Sequence, residues 1–182
     1  MKQVRGARIL GTGSFVPPKV LTNFDMASMV DTSDEWIRTR TGIQERHIAE
    51  DGVAASDLAA EAARLAISEA GISPLDVDLL IVGTVTADRA FPSAACSLQE
   101  KLGTFNAGAF DLSAGCTGFI YGMSLATGLI GSSLADVILV VGVETLSKLV
   151  DWTDRNTCVV FGDGAGALRL PNRFRRLPRL HG

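Results

Sequence analysis

The 182 residues are enough for one domain with a packed core, and a net charge of −3 gives no general attraction to nucleic acid. A composition of 47% hydrophobic residues, 19 glycines and 6% aromatics fits an α/β protein with tight turns and excludes a disordered chain or a coiled coil. No apolar run is long enough to span a bilayer, and Met1 to Arg8 is polar and basic rather than a signal-peptide core. Cys96, Cys116 and Cys158 share no metal-like spacing, which predicts a reduced, cytoplasmic setting without a metal or membrane partner.

Residues 4–16 predict a first strand ended by Pro17-Pro18. A short helix follows over Asn23–Met29, with Asn23 as its cap, and then a polar stretch, Asp31–Thr41, holding one exposed Trp36. The spacing of Leu58, Ala62, Leu65, Ala66 and Ala70 predicts a helix from Ser56 to Ala70, ended by Gly71. Val77–Val85 is apolar almost throughout, as a strand covered on both faces would be. Ser93–Leu102 reads as a helix, Ala107–Leu112 as a strand, Thr117–Ile130 as a helix and Asp136–Val143 as a strand. Cys158-Val-Val-Phe161 opens a fifth strand, bent at the Gly162–Gly166 cluster. Alternating strands and helices predict a layered α/β domain with a largely parallel sheet.

Charge is distributed unevenly. Residues 168–182 hold five arginines and no acidic residue, leaving 12 basic against 20 acidic residues over 1–167. The sequence therefore divides into a domain over 1–167 and a divergent Arg-rich tail over 168–182. The abrupt change reads as a frameshifted or prematurely ended translation of a longer gene. A basic nucleic-acid arm ranks last, because 15 residues with two prolines make a poor folded module.

The segment Asp111-Leu-Ser-Ala-Gly-Cys-Thr-Gly-Phe119 is the richest in chemistry. A thiol between a strand and a helix start faces the positive end of the helix dipole, which stabilises a thiolate nucleophile. Gly115 and Gly118 leave room for a substrate beside the sulfur. A free cysteine in an apolar stretch is also compatible with a buried small hydrophobe. The glycines at 162–166 lack the spacing and the Lys-Ser/Thr of a phosphate loop, so a tight backbone near Cys116 is their predicted role. Cys96 and Cys158 read as core residues and Asp111 as structural.

Seven ordered segments resemble the β-ketoacyl-acyl-carrier-protein synthase III family of the thiolase fold. They are Gly11-Thr-Gly-Ser14, Asp31-Thr-Ser-Asp-Glu-Trp-Ile37, Arg40-Thr-Gly-Ile43 with Glu45-Arg-His47, Ala90-Phe-Pro-Ser-Ala-Ala-Cys96, the Cys116 segment, Thr153-Asp-Arg155 and Phe161-Gly-Asp-Gly-Ala-Gly-Ala167. They run collinearly from about residue 3 to residue 167, which corresponds to the first half of the fold's two-fold pseudo-repeat, a layered sheet with helices on both faces. The resemblance implies an acyltransferase of fatty acid synthesis initiation. Its cysteine takes acetyl from acetyl-coenzyme A, and the acyl-enzyme condenses with malonyl-acyl carrier protein. Cys116 is then the nucleophile, with its own N–H donating to the oxyanion. Trp36 and Arg155 resemble the pair that sandwiches the adenine of coenzyme A, since an aromatic face and a planar guanidinium both stack on a purine. Thr32 would meet the base edge, Arg40 a phosphate, and Phe91 would bound the acyl pocket across a homodimer interface. Acyl-coenzyme A is a substrate, and no cofactor stays bound.

The family's condensation step uses a His and an Asn from the second half of the fold. His47 and His181 fall at positions that match neither, so activity of this chain alone is in question. Two other readings stand beside the synthase: an inactive fragment that binds coenzyme A or a partner subunit, and a polyketide starter-unit synthase.

Overall fold

The computed structural model describes residues 6–171. Its main sheet has five strands in the order β1-β7-β6-β4-β5, where β1 is Gly11–Phe15, β4 Leu79–Gly83, β5 Gly108–Leu112, β6 Val137–Thr145 and β7 Asp163–Pro171. Strands β4, β5 and β6 are parallel, while β7 runs antiparallel to β6 and β1 antiparallel to β7. The sheet is therefore mixed, not largely parallel. The connection from β6 to β7, residues 146–162, holds a 3-10 turn and a four-residue helix, and it returns the chain beside β6 in the antiparallel sense.

Helices α3 (Ala55–Glu69) and α4 (Ala94–Leu102) cover one face, and α5 (Gly118–Gly131) covers the other. Helix α3 is rich in alanine because it lies close on the sheet. A Cβ added at Gly13 would stand 2.1 Å from the Ala62 carbonyl oxygen, and one at Gly11 2.2 Å from that of Ala66. The predicted face of α3 is buried except at Leu65, which is 53% exposed; Ala59 and Ala63 are buried in its place. Ser56, in the first turn, donates its N–H and hydroxyl to Asp88, while the N-cap residue Ala54 donates its N–H to Asp57. Helix α5 buries Gly118, Gly122, Ala126 and Ile130 and turns Ile120, Tyr121 and Leu125 to solvent.

Strand β5 and helix α4 are tied by Asp111. Its carboxylate accepts from the N–H groups of Ala94 (2.8 Å) and Ala95 (2.7 Å), and Ser93 Oγ accepts from Cys96 at 3.2 Å. The N–H groups of Ala94 and Ala95 would otherwise lack partners at the helix start. Asp111→Ala is expected to lower stability by about 2 kcal/mol, read as a fall in urea midpoint at unchanged slope. An unchanged midpoint would show that the cap contributes nothing.

Between β1 and α3 lies a small unit of which the sequence indicated only the helix over Asn23–Met29. Strands β2 (Lys19–Thr22) and β3 (Glu45–Ile48) pair antiparallel and enclose helices α1 (Asn23–Met29) and α2 (Asp34–Thr41). Four-residue strands in a polar stretch carry too few alternations to be read. The cap of α1 is Thr22, in a reciprocal capping box with Asp25, and that bonding holds the Asp25 carboxyl below its usual range. Asn23 is instead buried, with its side chain used inside the unit. The fifth strand also differs: Arg155–Cys158 forms a short helix, α6, and β7 begins only at Asp163. Strand β7 continues through Leu168–Pro171, with Leu168 and Leu170 in the core, so these residues extend the domain past 167. The remainder of the Arg-rich segment, 172–182 with His181, lies outside the described residues.

Candidate active site

The carboxyl ends of β4, β5 and β6 open at one edge of the sheet, the usual place for a ligand in a parallel array. Cys116 stands there, in a single 3-10 turn (Gly115–Thr117) between β5 and α5. Gly115 has φ +54°, a left-handed backbone that favours glycine. Thr117 Oγ1 donates to the Ala114 carbonyl at 2.8 Å and steadies the turn. A Cβ at Gly83 would lie 2.8 Å from the Gly118 carbonyl carbon, so this glycine lets the start of α5 sit directly against β4.

The thiol of Cys116 is free and the residue is exposed, which removes the reading of it as a buried hydrophobe. It lines a cleft of about 320 Å³ with Gly83, Gly115, Phe119, Gly142, Val143 and Glu144 and with Gly162, Gly164, Ala165 and Gly166. The glycine cluster thus forms a wall of the cysteine cleft, as its backbone role predicts. Glu144 was not indicated by the sequence. Its carboxylate accepts from Val85 N–H (2.9 Å) and Thr86 Oγ1 (2.6 Å), fixing the loop after β4. A carboxylate closing the apolar run 137–143 is the signal that could have found it.

A second cluster gathers on α2 and α6. The Arg155 guanidinium carbon lies 4.6 Å from the centre of the Trp36 ring and that of Arg40 lies 4.9 Å from it. Both are in cation–π range. Trp36 is half-buried against a core of Met26, Ile37, Cys158 and Val159, not an isolated exposed ring. Thr32, just before α2, has a buried Oγ1 without a hydrogen-bond partner among the described residues. Asp154 caps α6 by accepting from Thr157 Oγ1 and Asn156 N–H, and these bonds hold its carboxyl below the ordinary range. Burial pushes the Cys158 thiol up, consistent with a core role. Cys96 is half-buried and accepts from Ser93 Oγ.

Other predicted residues stand apart. Phe91 is 88% exposed in the loop between β4 and α4 and does not line the Cys116 cleft. His47 Nδ1 donates to the Pro17 carbonyl at 2.6 Å, a structural use. Asp163 accepts from Ala49 N–H, Ser147 N–H and Ser147 Oγ, and so fastens β3 and the turn after β6 to the start of β7. Among the described residues, no group of three or more His, Cys, Asp or Glu could hold a metal ion. No helix among them is long and apolar enough to cross a membrane.

Comparison with known proteins agrees with this geometry. The family model for 3-oxoacyl-[acyl-carrier-protein (ACP)] synthase III matches residues 110–176, the stretch that holds Cys116, α5, β6 and β7. The β-ketoacyl-[acyl-carrier-protein] synthase III of Geobacillus kaustophilus is 60% identical over 163 residues, covering 90% of this chain and 53% of the relative. The crystal structure of 3-oxoacyl-[acyl-carrier-protein] synthase III from Aquifex aeolicus superposes with a TM-score of 0.90 at 49% identity, covering 93% of this chain and 55% of that one. The priming β-ketosynthase of the R1128 polyketide pathway also superposes at 0.90, with 37% identity, 94% of this chain and 52% of that one. This chain spans about half the length of the curated relatives it matches. On identity, fold and the cysteine turn together, the chain belongs to the β-ketoacyl-[acyl-carrier-protein] synthase III family and has its thiolase-like fold.

Proposed function

We propose that this chain carries the acyl-accepting site of an enzyme that initiates fatty acid synthesis from acetyl-coenzyme A and malonyl-acyl carrier protein. The observation that carries the reading is the exposed Cys116 at the start of α5, inside a cleft walled by glycine backbone. The Cys116 thiolate attacks the acetyl thioester carbonyl, forming the new carbon–sulfur bond. The tetrahedral oxyanion is held by N–H groups at the helix start. Its collapse breaks the bond to coenzyme A, whose thiolate leaves and takes up a proton. Condensation then needs donors that polarise the malonyl thioester, and the family's His and Asn for that step are not assigned to residues of this chain. The outward apolar residues of α5 fit a face packed against a further part of such an enzyme. A homodimer with Phe91 reaching the partner's acyl pocket and a cytoplasmic location belong to the same reading.

The test is incubation with acetyl-coenzyme A, mass measurement of the Cys116 peptide, and then addition of malonyl-acyl carrier protein. Acetylation followed by a ketoacyl product supports the full synthase. Acetylation alone leaves a competent half-site, and no label leaves a fragment without this chemistry. A polyketide starter-unit role is the second reading, favoured by the likeness to the R1128 priming enzyme. Labelling by longer or branched acyl-coenzyme A in preference to acetyl would select it.

Coenzyme A would enter at Trp36. A purine stacked between Trp36 and Arg155 needs about 7 Å between them, two contacts of about 3.5 Å each, while the guanidinium now sits 4.6 Å from the ring. Arg155 must swing away as the base inserts, and Thr32 Oγ1, buried without a partner among the described residues, would meet the base edge. Arg40 would meet a phosphate. Trp36→Ala is expected to weaken coenzyme A binding by about 10- to 100-fold, the range of one lost stacking contact. Calorimetric titration measures it, and unchanged affinity would move the nucleotide elsewhere.

A further inference from the structure

Arg46 is 4% exposed and lies inside the β2–β3 unit. Its Nε donates to the Val159 carbonyl at 3.1 Å, Nη2 donates to the same oxygen, and Nη1 donates to Asn23 Oδ1 at 2.7 Å. Asn23 in turn donates from Nδ2 to Asp34 Oδ1 (2.9 Å) and to the Ile43 carbonyl (2.8 Å). Among the described residues, no carboxylate forms an ion pair with this guanidinium. Burial pulls its pKa below the ordinary arginine value, with Cys158 acting in the opposite direction.

The two ends of this chain of bonds matter. Val159 is the residue at which α6 ends, and α6 begins with Arg155. Asp34 is the first residue of α2, which carries Trp36 and Arg40. The bonds Val159–Arg46–Asn23–Asp34 therefore join the helix that holds the stacking guanidinium to the helix that holds the indole. A planar fork with fixed donors sets direction as well as distance, which a single flexible ammonium does not. A buried charge is a poor source of stability compared with a well-packed apolar side chain, and its attested use is to fix one geometry.

We infer that Arg46 is a positioning residue: with Asn23 it fixes the helices that carry Trp36 and Arg155 relative to each other, and so the affinity for the nucleotide end of coenzyme A. This rests on the proposed function only for the identity of the ligand. Arg46 acts through Trp36 and Arg155 and touches no reacting atom. Its backbone neighbourhood also meets the cysteine cleft, since a Cβ on Gly162 would lie 3.1 Å from Arg46 Cβ. Arg46→Lys preserves that packing and removes the fork.

The test uses this chain with Trp152→Phe, which leaves Trp36 as the only tryptophan. Three quantities are read in Arg46→Lys and Asn23→Asp: acrylamide quenching of Trp36 without ligand, half-saturation by coenzyme A, and the alkylation rate of Cys116 by iodoacetamide. The expected result is at least a twofold rise in quenching and a tenfold rise in half-saturation, with alkylation within twofold of the parent. Asn23→Asp keeps an acceptor for Arg46 but loses the donor to Asp34, so it should reproduce the effect. Quenching and half-saturation both within twofold of the parent would overturn the assignment. So would all three quantities moving together, which is what general loosening produces. If the parent binds no coenzyme A, the functional reading fails, and quenching alone then decides the role of Arg46.

Discussion

Cys116→Ala is expected to abolish acetyl labelling by acetyl-coenzyme A, a loss of at least about 10³-fold, as for removal of a catalytic nucleophile. The other two thiols cannot take over. Cys158 is buried and its thiol pushed up by that burial, and Cys96 is half-buried with Ser93 bonded to its sulfur. Cys116 alone among the three is exposed and lies at a helix start within a cleft. Intact mass before and after incubation measures the effect. An acetyl group that persists on the Cys116→Ala chain would place the nucleophile elsewhere and remove the basis of the proposed function.

Gly13→Val carries the largest expected cost in stability. Any Cβ there would stand 2.1 Å from the Ala62 carbonyl and 2.8 Å from the backbone nitrogen of Ala66. Both obstacles are backbone of α3 and cannot rotate aside. Relief requires α3 to lift from β1 and β7, which would open the core of Leu58, Ala62, Ala66, Val141 and Ala167. Overpacking against yielding side chains costs about 1–3 kcal/mol, and here rigid backbone meets the new atom. A loss of about 3 kcal/mol or more is expected, enough to deplete the folded state of a marginal domain. Chemical denaturation followed by circular dichroism reads it, and a variant within 1 kcal/mol of the parent by that standard would show that α3 yields easily.

The sequence by itself determined most of the framework. Apolar runs at Val77–Val85 and Asp136–Val143 mark the central strands because burial on both faces leaves no polar alternation. The small-residue helix after Cys116 and the alanine helix before β4 are legible for the same reason: their periodicity is local. Residue type and family motif point to the cysteine turn, Trp36 and Arg155, and the structure brings the last two together. Three things were decided only by tertiary structure. The direction of β7 depends on the path its connection takes and on its pairing with β6 and β1, not on its composition, so the sheet is mixed. The β2–β3 unit is held by Arg46, Asn23 and Asp34, whose bonds span up to 113 positions in sequence and leave no periodic trace. Exposure of Cys116 removes an alternative that the sequence left open, that of a buried small hydrophobe. Local pattern reports what one segment can bury, whereas pairing between distant segments sets direction, spacing and access.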